Sequence, residues 1–154
     1  MGTIFQRLLF KTLLEKAILA EEKAFNFYHI LQDDPSFSMC SPLLQKLASA
    51  ELGHRIKLEK VQKTLDLGVL NPSSEEETIL LLEHNGPWCD PEKKENIEQI
   101  LLLAMEKEEA SYAFYTILRE KTKNALAKKI FQQLAEEEKS HIEWVQNVLD
   151  NGEV

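Results

Sequence analysis

The chain repeats one short pattern. Glu51-Leu-Gly-His54 and Glu138-Lys-Ser-His141 share the spacing Glu-x-x-His and stand 87 residues apart in a sequence of 154. Each motif has another glutamate 30 residues upstream, Glu21 and Glu108, and each of those is followed seven residues later by a tyrosine, Tyr28 and Tyr115. Glutamate is common here, so a histidine has a glutamate three places before it about one time in seven by chance. The shared spacing to two further residues sets this pattern apart from coincidence. A fold must therefore accommodate four carboxylates and two imidazoles related by an internal two-fold repeat.

The repeat extends beyond the motifs. An offset of 87 aligns residues 14–61 with 101–148, and 14 of those 48 positions are identical. Phe27-Tyr28-His29-Ile30-Leu31 pairs with Phe114-Tyr115-Thr116-Ile117-Leu118. Gln45, Leu47, Ala48, Glu51 and His54 pair with Gln132, Leu134, Ala135, Glu138 and His141. Such self-similarity marks a duplicated supersecondary unit, here spanning about residues 10–66 and 91–150 of a single domain covering 1–154. Glycine and proline are few, five each, while Leu, Glu, Lys and Ala abound, so each unit reads as a helical hairpin.

Capping signals place the helices. The first runs from about Thr3 to Gln32 and stops near Asp33-Asp34-Pro35. Ser41 as N-cap and Pro42 as first residue open the second, which ends before Gly68. Asp90-Pro91 opens the third in the same manner, and it fades near Thr122–Asn124. The fourth ends near Asn151-Gly152. The connection from about Leu67 to Cys89 is long enough to cross the length of a bundle, with a short helix over Thr78–Glu83.

Periodicity then shows which faces turn inward. The second helix presents Leu44, Leu47, Glu51, His54, Leu58, Val61 and Leu65, and the fourth Phe131, Leu134, Glu138, His141, Val145 and Val148. The 3,4,3,4 spacing is that of helices packed in a bundle. The first and third give Leu14, Ala17, Glu21, Ala24, Tyr28, Leu31 and Leu101, Ala104, Glu108, Ser111, Tyr115, Leu118. Glu22 shares a polar face with Glu15 and His29, which selects Glu21 over its neighbour; by symmetry Glu108 is chosen over Glu109. Small residues one turn either side, Ala17, Ala24, Ala104 and Ser111, leave room for ions and a small oxidant.

A buried, unpaired carboxylate is expensive and tends to take up a proton, so without compensation the clustered carboxylates should titrate above their ordinary range. Two divalent ions supply compensation, because four glutamates and two neutral histidines balance them. Glu and His at i and i+3 share a helix face, so the Glu can bridge two ions while the His binds one. Mixed carboxylate and imidazole donors with open positions suit iron or manganese and accept zinc. Tyr28 and Tyr115, one heptad beyond Glu21 and Glu108, are placed to hydrogen-bond the site carboxylates.

Other features exclude alternatives. A net charge of −8 argues against nucleic acid or an anionic membrane as partner. Arg7, Lys11, Glu15 and Lys16 interrupt the apolar N-terminal stretch, so it is not read as a signal peptide, and no run reaches membrane-spanning length. Cys40 and Cys89 lack a Cys-x-x-Cys spacing, which excludes a zinc ribbon or rubredoxin-type iron centre. A full-length crossover brings both cysteines to one end of the bundle, which leaves contact open, and no disulfide is expected. His29 and His84 read as surface residues and Trp88 as packing. A cytoplasmic location is expected.

One Glu from each of two helices with Glu-x-x-His from each of the other two is the ligand set of ferritin-like di-metal bundles. Through Glu21, Glu51, His54, Glu108, Glu138 and His141 the chain resembles the ferritin-like superfamily, most closely its rubrerythrin branch, over about residues 10–150. The resemblance implies an all-α fold, a ferritin-like four-helix bundle of two duplicated hairpins joined by a long crossover. It also implies a di-iron centre with Glu51 and Glu138 bridging, Glu21 and Glu108 terminal, and one His on each iron. The implied activity is an oxidoreductase that reduces peroxide or dioxygen with electrons from an external donor such as a rubredoxin-type protein, in a homodimer. Iron storage, oxidation of an organic substrate, and a metal-free helical interaction module are the alternatives. Three departures stand out. The sequence carries no rubredoxin-like four-cysteine motif, Ser111 stands where rubrerythrins tend to have a further ligand Glu, and Leu52 replaces the haem-ligand Met of bacterioferritins.

Overall fold

A computed structural model describes residues 3–64, 72–82 and 96–152. They form α1 (Ile4–Gln32), a 3-10 turn (Pro35–Cys40), α2 (Ser41–Thr64), α3 (Glu75–Leu82), α4 (Ile97–Lys121) and α5 (Ala125–Asn151). The fold is an all-helical bundle. α1 packs against α2, and α4 against α5, so each repeat is a hairpin.

The helix ends follow local chemistry. Thr3 caps α1 in a reciprocal box with Gln6, each backbone N–H donating to the other's side chain. Asn96 and Gln99 form the same box at the start of α4. Asn124 caps α5 by accepting from the N–H groups of Leu126 and Ala127. Gly152, at φ 68°, ends α5 in the left-handed region that a Cβ disfavours.

The start of α2 differs from the sequence reading. Ser41 is not an N-cap: it already has helical φ/ψ, because the 3-10 turn leads into α2, and its hydroxyl donates to the Gln32 carbonyl at 2.8 Å. The third long helix, α4, is described from Ile97, where the box of extended Asn96 caps it, and the opening expected at Asp90-Pro91 lies outside the described residues. Residues 65–71 and 83–95 lie outside the described set, so the readings placed on Leu65, Gly68, His84, Trp88 and Cys89 fall there. The short helix expected over Thr78–Glu83 is α3, beginning three residues earlier.

The core divides into two apolar layers. One joins Leu9–Ala17 of α1, Leu58 and Val61 of α2, Leu81 of α3, Phe114–Leu118 of α4 and Ala127–Ala135 of α5. The other joins Ala24–Leu31 of α1, Phe37 and Cys40, Leu43–Ala48 of α2, Ile100–Met105 of α4 and Val145 and Val148 of α5. α2 finishes in the first layer and α4 begins in the second. Glu21, Glu51, His54, Glu108, Glu138 and His141 occupy the level between the layers on all four long helices, each at most 2% exposed. The inward positions of the stripes are buried along their described length, while Glu22, Glu109 and His29 are exposed. Among the described residues no helix is long and apolar enough to cross a membrane.

Candidate metal centre

The six residues form two overlapping groups. Glu21, Glu51, His54 and Glu138 bring one donor atom each within 4.8 Å of one another, and so do Glu51, Glu108, Glu138 and His141. Glu51 and Glu138 belong to both groups, and each lies one helical turn before its own histidine. The imidazole rings stack at 5.3 Å between centroids and 11° between planes. Both turn Nδ1 inward. His54 Nδ1 lies 3.2 Å from Glu138 Oε1 and 3.6 Å from Glu21 Oε2. His141 Nδ1 lies 3.1 Å from Glu138 Oε2, 3.2 Å from Glu108 Oε2 and 3.4 Å from Glu51 Oε1.

The tyrosines cross the bundle. Tyr28 of α1 donates its hydroxyl to Glu108 Oε1 of α4 at 2.9 Å, and Tyr115 of α4 donates to Glu21 Oε1 of α1 at 2.5 Å. Each phenol thus holds the carboxylate of the opposite repeat. Burial and the neighbouring carboxylate push both phenols well above their usual range, so they remain protonated donors.

Sequence reasoning missed two participants. Lys107, on α4 next to Glu108, is 2% exposed, with its ammonium among the site carboxylates. Its Nζ lies 2.6 Å from Glu51 Oε2, 3.5 Å from Glu108 Oε2 and 3.7 Å from Glu138 Oε1. Glu137, beside Glu138 and 41% exposed, accepts from His54 Nε2 at 2.8 Å and pairs with Lys57. The signal for both was a break in the repeat: the positions equivalent to Lys107 and Glu137 are Ala20 and Ala50. The environment of His141 differs accordingly. Trp144, the counterpart of Lys57, packs on its ring at 4.8 Å, with the Lys46 ammonium 3.7 Å from the Trp144 ring centroid.

These neighbours overturn the expectation that all four carboxylates titrate high. Burial, then Glu51, raises Glu21, and burial, then Glu138, raises Glu108. For Glu51 burial acts upward most strongly, but Lys107 together with hydrogen bonding to Glu21 and His141 brings the carboxyl down to about 2. Glu138 is also lowered, against burial and Glu51, by Lys107 and hydrogen bonding to Glu108. Burial disfavours the imidazoliums, yet the carboxylates raise His54 well above its usual value and His141 to about 11. The cluster thus offsets its negative charge internally with one ammonium and two imidazoliums.

The residues fit metal ions on one further observation. Glu21 Oε2, Glu51 Oε1, His54 Nδ1 and Glu138 Oε1 are buried and have no hydrogen-bond partner. Buried polar atoms are rarely left so, and four from one carboxylate–imidazole group form a donor set for a cation. Cys40 is buried at the far end of the bundle, where its thiol donates to the Phe37 carbonyl at 3.4 Å, and it takes no part in the cluster.

A family model for rubrerythrin matches residues 12–149. Among solved structures, a hypothetical protein from Pyrococcus furiosus is similar. It is 27% identical, with a TM-score of 0.70, over 94% of this chain and 92% of that one. Comparison with curated proteins gives no match.

Proposed function

The chain belongs to the rubrerythrin family, and on that footing we propose that its buried centre binds two iron ions and reduces peroxide with electrons from an external donor. The observation that carries this reading is the pair of four-residue donor groups sharing Glu51 and Glu138. In it Glu51 and Glu138 would serve both ions, Glu21 and His54 would hold one, and Glu108 and His141 would hold the other. Manganese or zinc is compatible with the same donors.

A bound ferrous pair would supply the two electrons that, with two protons, reduce hydrogen peroxide to two waters. The protein's part is to hold the donors and exclude water. Tyr28 and Tyr115 fix one oxygen of Glu108 and of Glu21, so the other oxygen of each carboxylate points to the centre. Glu137 accepts from His54 Nε2 and so favours the tautomer that leaves Nδ1 as a metal donor. The apolar layers above and below close the site to bulk solvent. Ala17, Ala24, Ala104 and Ser111 limit side-chain bulk beside Glu21 and Glu108, which favours a small oxidant over an organic substrate. The reductant in this reading is an external donor such as a rubredoxin-type protein.

Ser111 favours a second reading, iron storage, because no additional carboxylate accompanies the four-glutamate, two-histidine set at that position. Stopped-flow oxidation of the anaerobically loaded diferrous protein separates the two. Faster reaction with hydrogen peroxide than with dioxygen, and turnover only with added reductant, is expected for the peroxidase. A preference for dioxygen with uptake of many irons per chain would replace it with storage.

A further inference from the structure

We propose that Lys107 is a resident cation of the centre that the second metal ion must displace, so that the site loads in two unequal steps. This rests on the two-metal reading above and deepens it.

The two repeats supply matching ligands but not matching surroundings. The terminal carboxylates show the difference. Glu21 has one oxygen held by Tyr115 and the other, which makes no hydrogen bond, 3.6 Å from His54 Nδ1. Glu108 has one oxygen held by Tyr28, while the other faces Lys107 at 3.5 Å and His141 at 3.2 Å. The four unpartnered donor atoms all belong to Glu21, Glu51, His54 and Glu138. Glu51 and Glu138 are shared and Lys107 reaches both, so the groups differ at their terminal carboxylates: Lys107 pairs with Glu108, and among the described residues no ammonium pairs with Glu21. In the group holding Glu108, Lys107 already engages all three carboxylates, Glu51, Glu108 and Glu138, within 3.7 Å.

Charge counting gives the same order. Four carboxylates and one ammonium leave a net charge of −3 once the imidazoles are neutral. A first divalent ion brings this to −1. A second overshoots to +1 unless the ammonium withdraws, and an ammonium a few ångströms from two divalent ions in a water-poor site is strongly repelled. The first ion therefore binds on the Glu21–His54 side, and the second binds on the Glu108–His141 side only as Lys107 gives up Glu51 and Glu108. The chemistry resides in one substitution between the repeats: the counterpart of Lys107 is Ala20, which places no charge beside Glu21.

Anaerobic calorimetric titration with cobalt(II), followed by visible absorption, tests this without reference to turnover. The wild-type chain is expected to bind one ion tightly and a second more weakly by about tenfold or more. Lys107→Met removes the charge at similar length and should strengthen the second step by about tenfold, leaving the first little changed. Lys107→Gln, which keeps a neutral donor on the side chain, serves the same comparison should the methionine variant fail to fold. Two equal steps in the wild-type chain, or an unchanged second step in the neutral variants, would overturn the role of Lys107 while leaving the two-metal centre standing. No cobalt bound by any of the proteins would overturn both.

Discussion

The Tyr28 hydroxyl on α1 donates to Glu108 on α4 at 2.9 Å, so a residue of the first repeat positions a carboxylate of the second. Tyr115 returns the contact to Glu21, and the two crossed bonds fasten the hairpins at the level of the centre. Tyr28→Phe leaves a buried carboxylate oxygen without its donor. That costs about 1–3 kcal/mol of folding stability in the metal-free protein. It also loosens the orientation of Glu108, for which a 10–100-fold loss of metal affinity is the usual scale. Chemical denaturation and metal titration of the variant check both. An unchanged affinity would show that Glu108 is held by other contacts.

Metal content tests the ligand assignment most directly. Two ions per chain are expected by elemental analysis of anaerobically loaded protein. Glu51→Ala and Glu138→Ala should each lose both, because each residue belongs to both donor groups. Glu22→Ala and Glu109→Ala should retain full loading, since those side chains are exposed on the outer faces. Full occupancy in Glu21→Ala together with loss in Glu22→Ala would reverse the assignment.

Glu137 offers a separate test of how His54 is supported. Its hydrogen bond to His54 and its pairing with Lys57 hold its carboxyl at about 2, against a smaller upward push from burial. Glu137→Gln keeps the shape but removes the charge that favours the Nε2–H tautomer. Weakening of one metal step by about 10–100-fold is expected, with the other step close to wild type. Ala50 is the counterpart of Glu137, and among the described residues no carboxylate backs His141 in the same way, so the effect is expected on one ion only. Equal weakening of both steps would count against this asymmetry.

The parts of the fold that were legible in the sequence are those fixed by period and repetition. The stripes through Glu51 and Glu138 identify inward faces because a charge set among leucines at 3,4 spacing is too costly to bury without a compensating cation. The choice of Glu21 over Glu22 follows from the same argument. Lys107 was not legible in that way. It lies beside Glu108, off the inward stripe, and lysine ordinarily reads as a solvated residue. Only the tertiary arrangement shows that its long stem carries the ammonium to Glu51, 56 residues away in sequence. The Asn96 cap of α4 was not read from the sequence either, because only the reciprocal bonds between Asn96 and Gln99 show that these two residues satisfy each other's backbone donors.

The last expectation concerns pH and separates the metal-free from the loaded protein. In the metal-free chain His141 titrates at about 11 and His54 is also raised, because carboxylates surround both rings despite burial. A histidine whose folded pKa exceeds its unfolded value stabilises fully below the unfolded pKa, about 6.5. That contribution is lost as pH rises through the folded value. Glu21 and Glu108, also raised, act in the same sense: their protonated forms favour folding at low pH, and ionisation removes that benefit. Glu51, lowered to about 2, and Glu138, also lowered, oppose this only when pH falls below about 4.5 toward their folded values. Metal-free protein should therefore be more stable at pH 6 than at pH 8.5, by up to about 1.4 kcal/mol per pH unit for each linked proton. Loaded protein should behave in the opposite way, since binding requires neutral imidazoles and ionised carboxylates, and protons compete with the metal. Paired thermal melts between pH 5 and 8.5 should converge on acidification, with the metal-free curve rising and the loaded curve falling. Parallel curves would mean that protons and metal do not share the same side chains, and the cluster would not be the binding site.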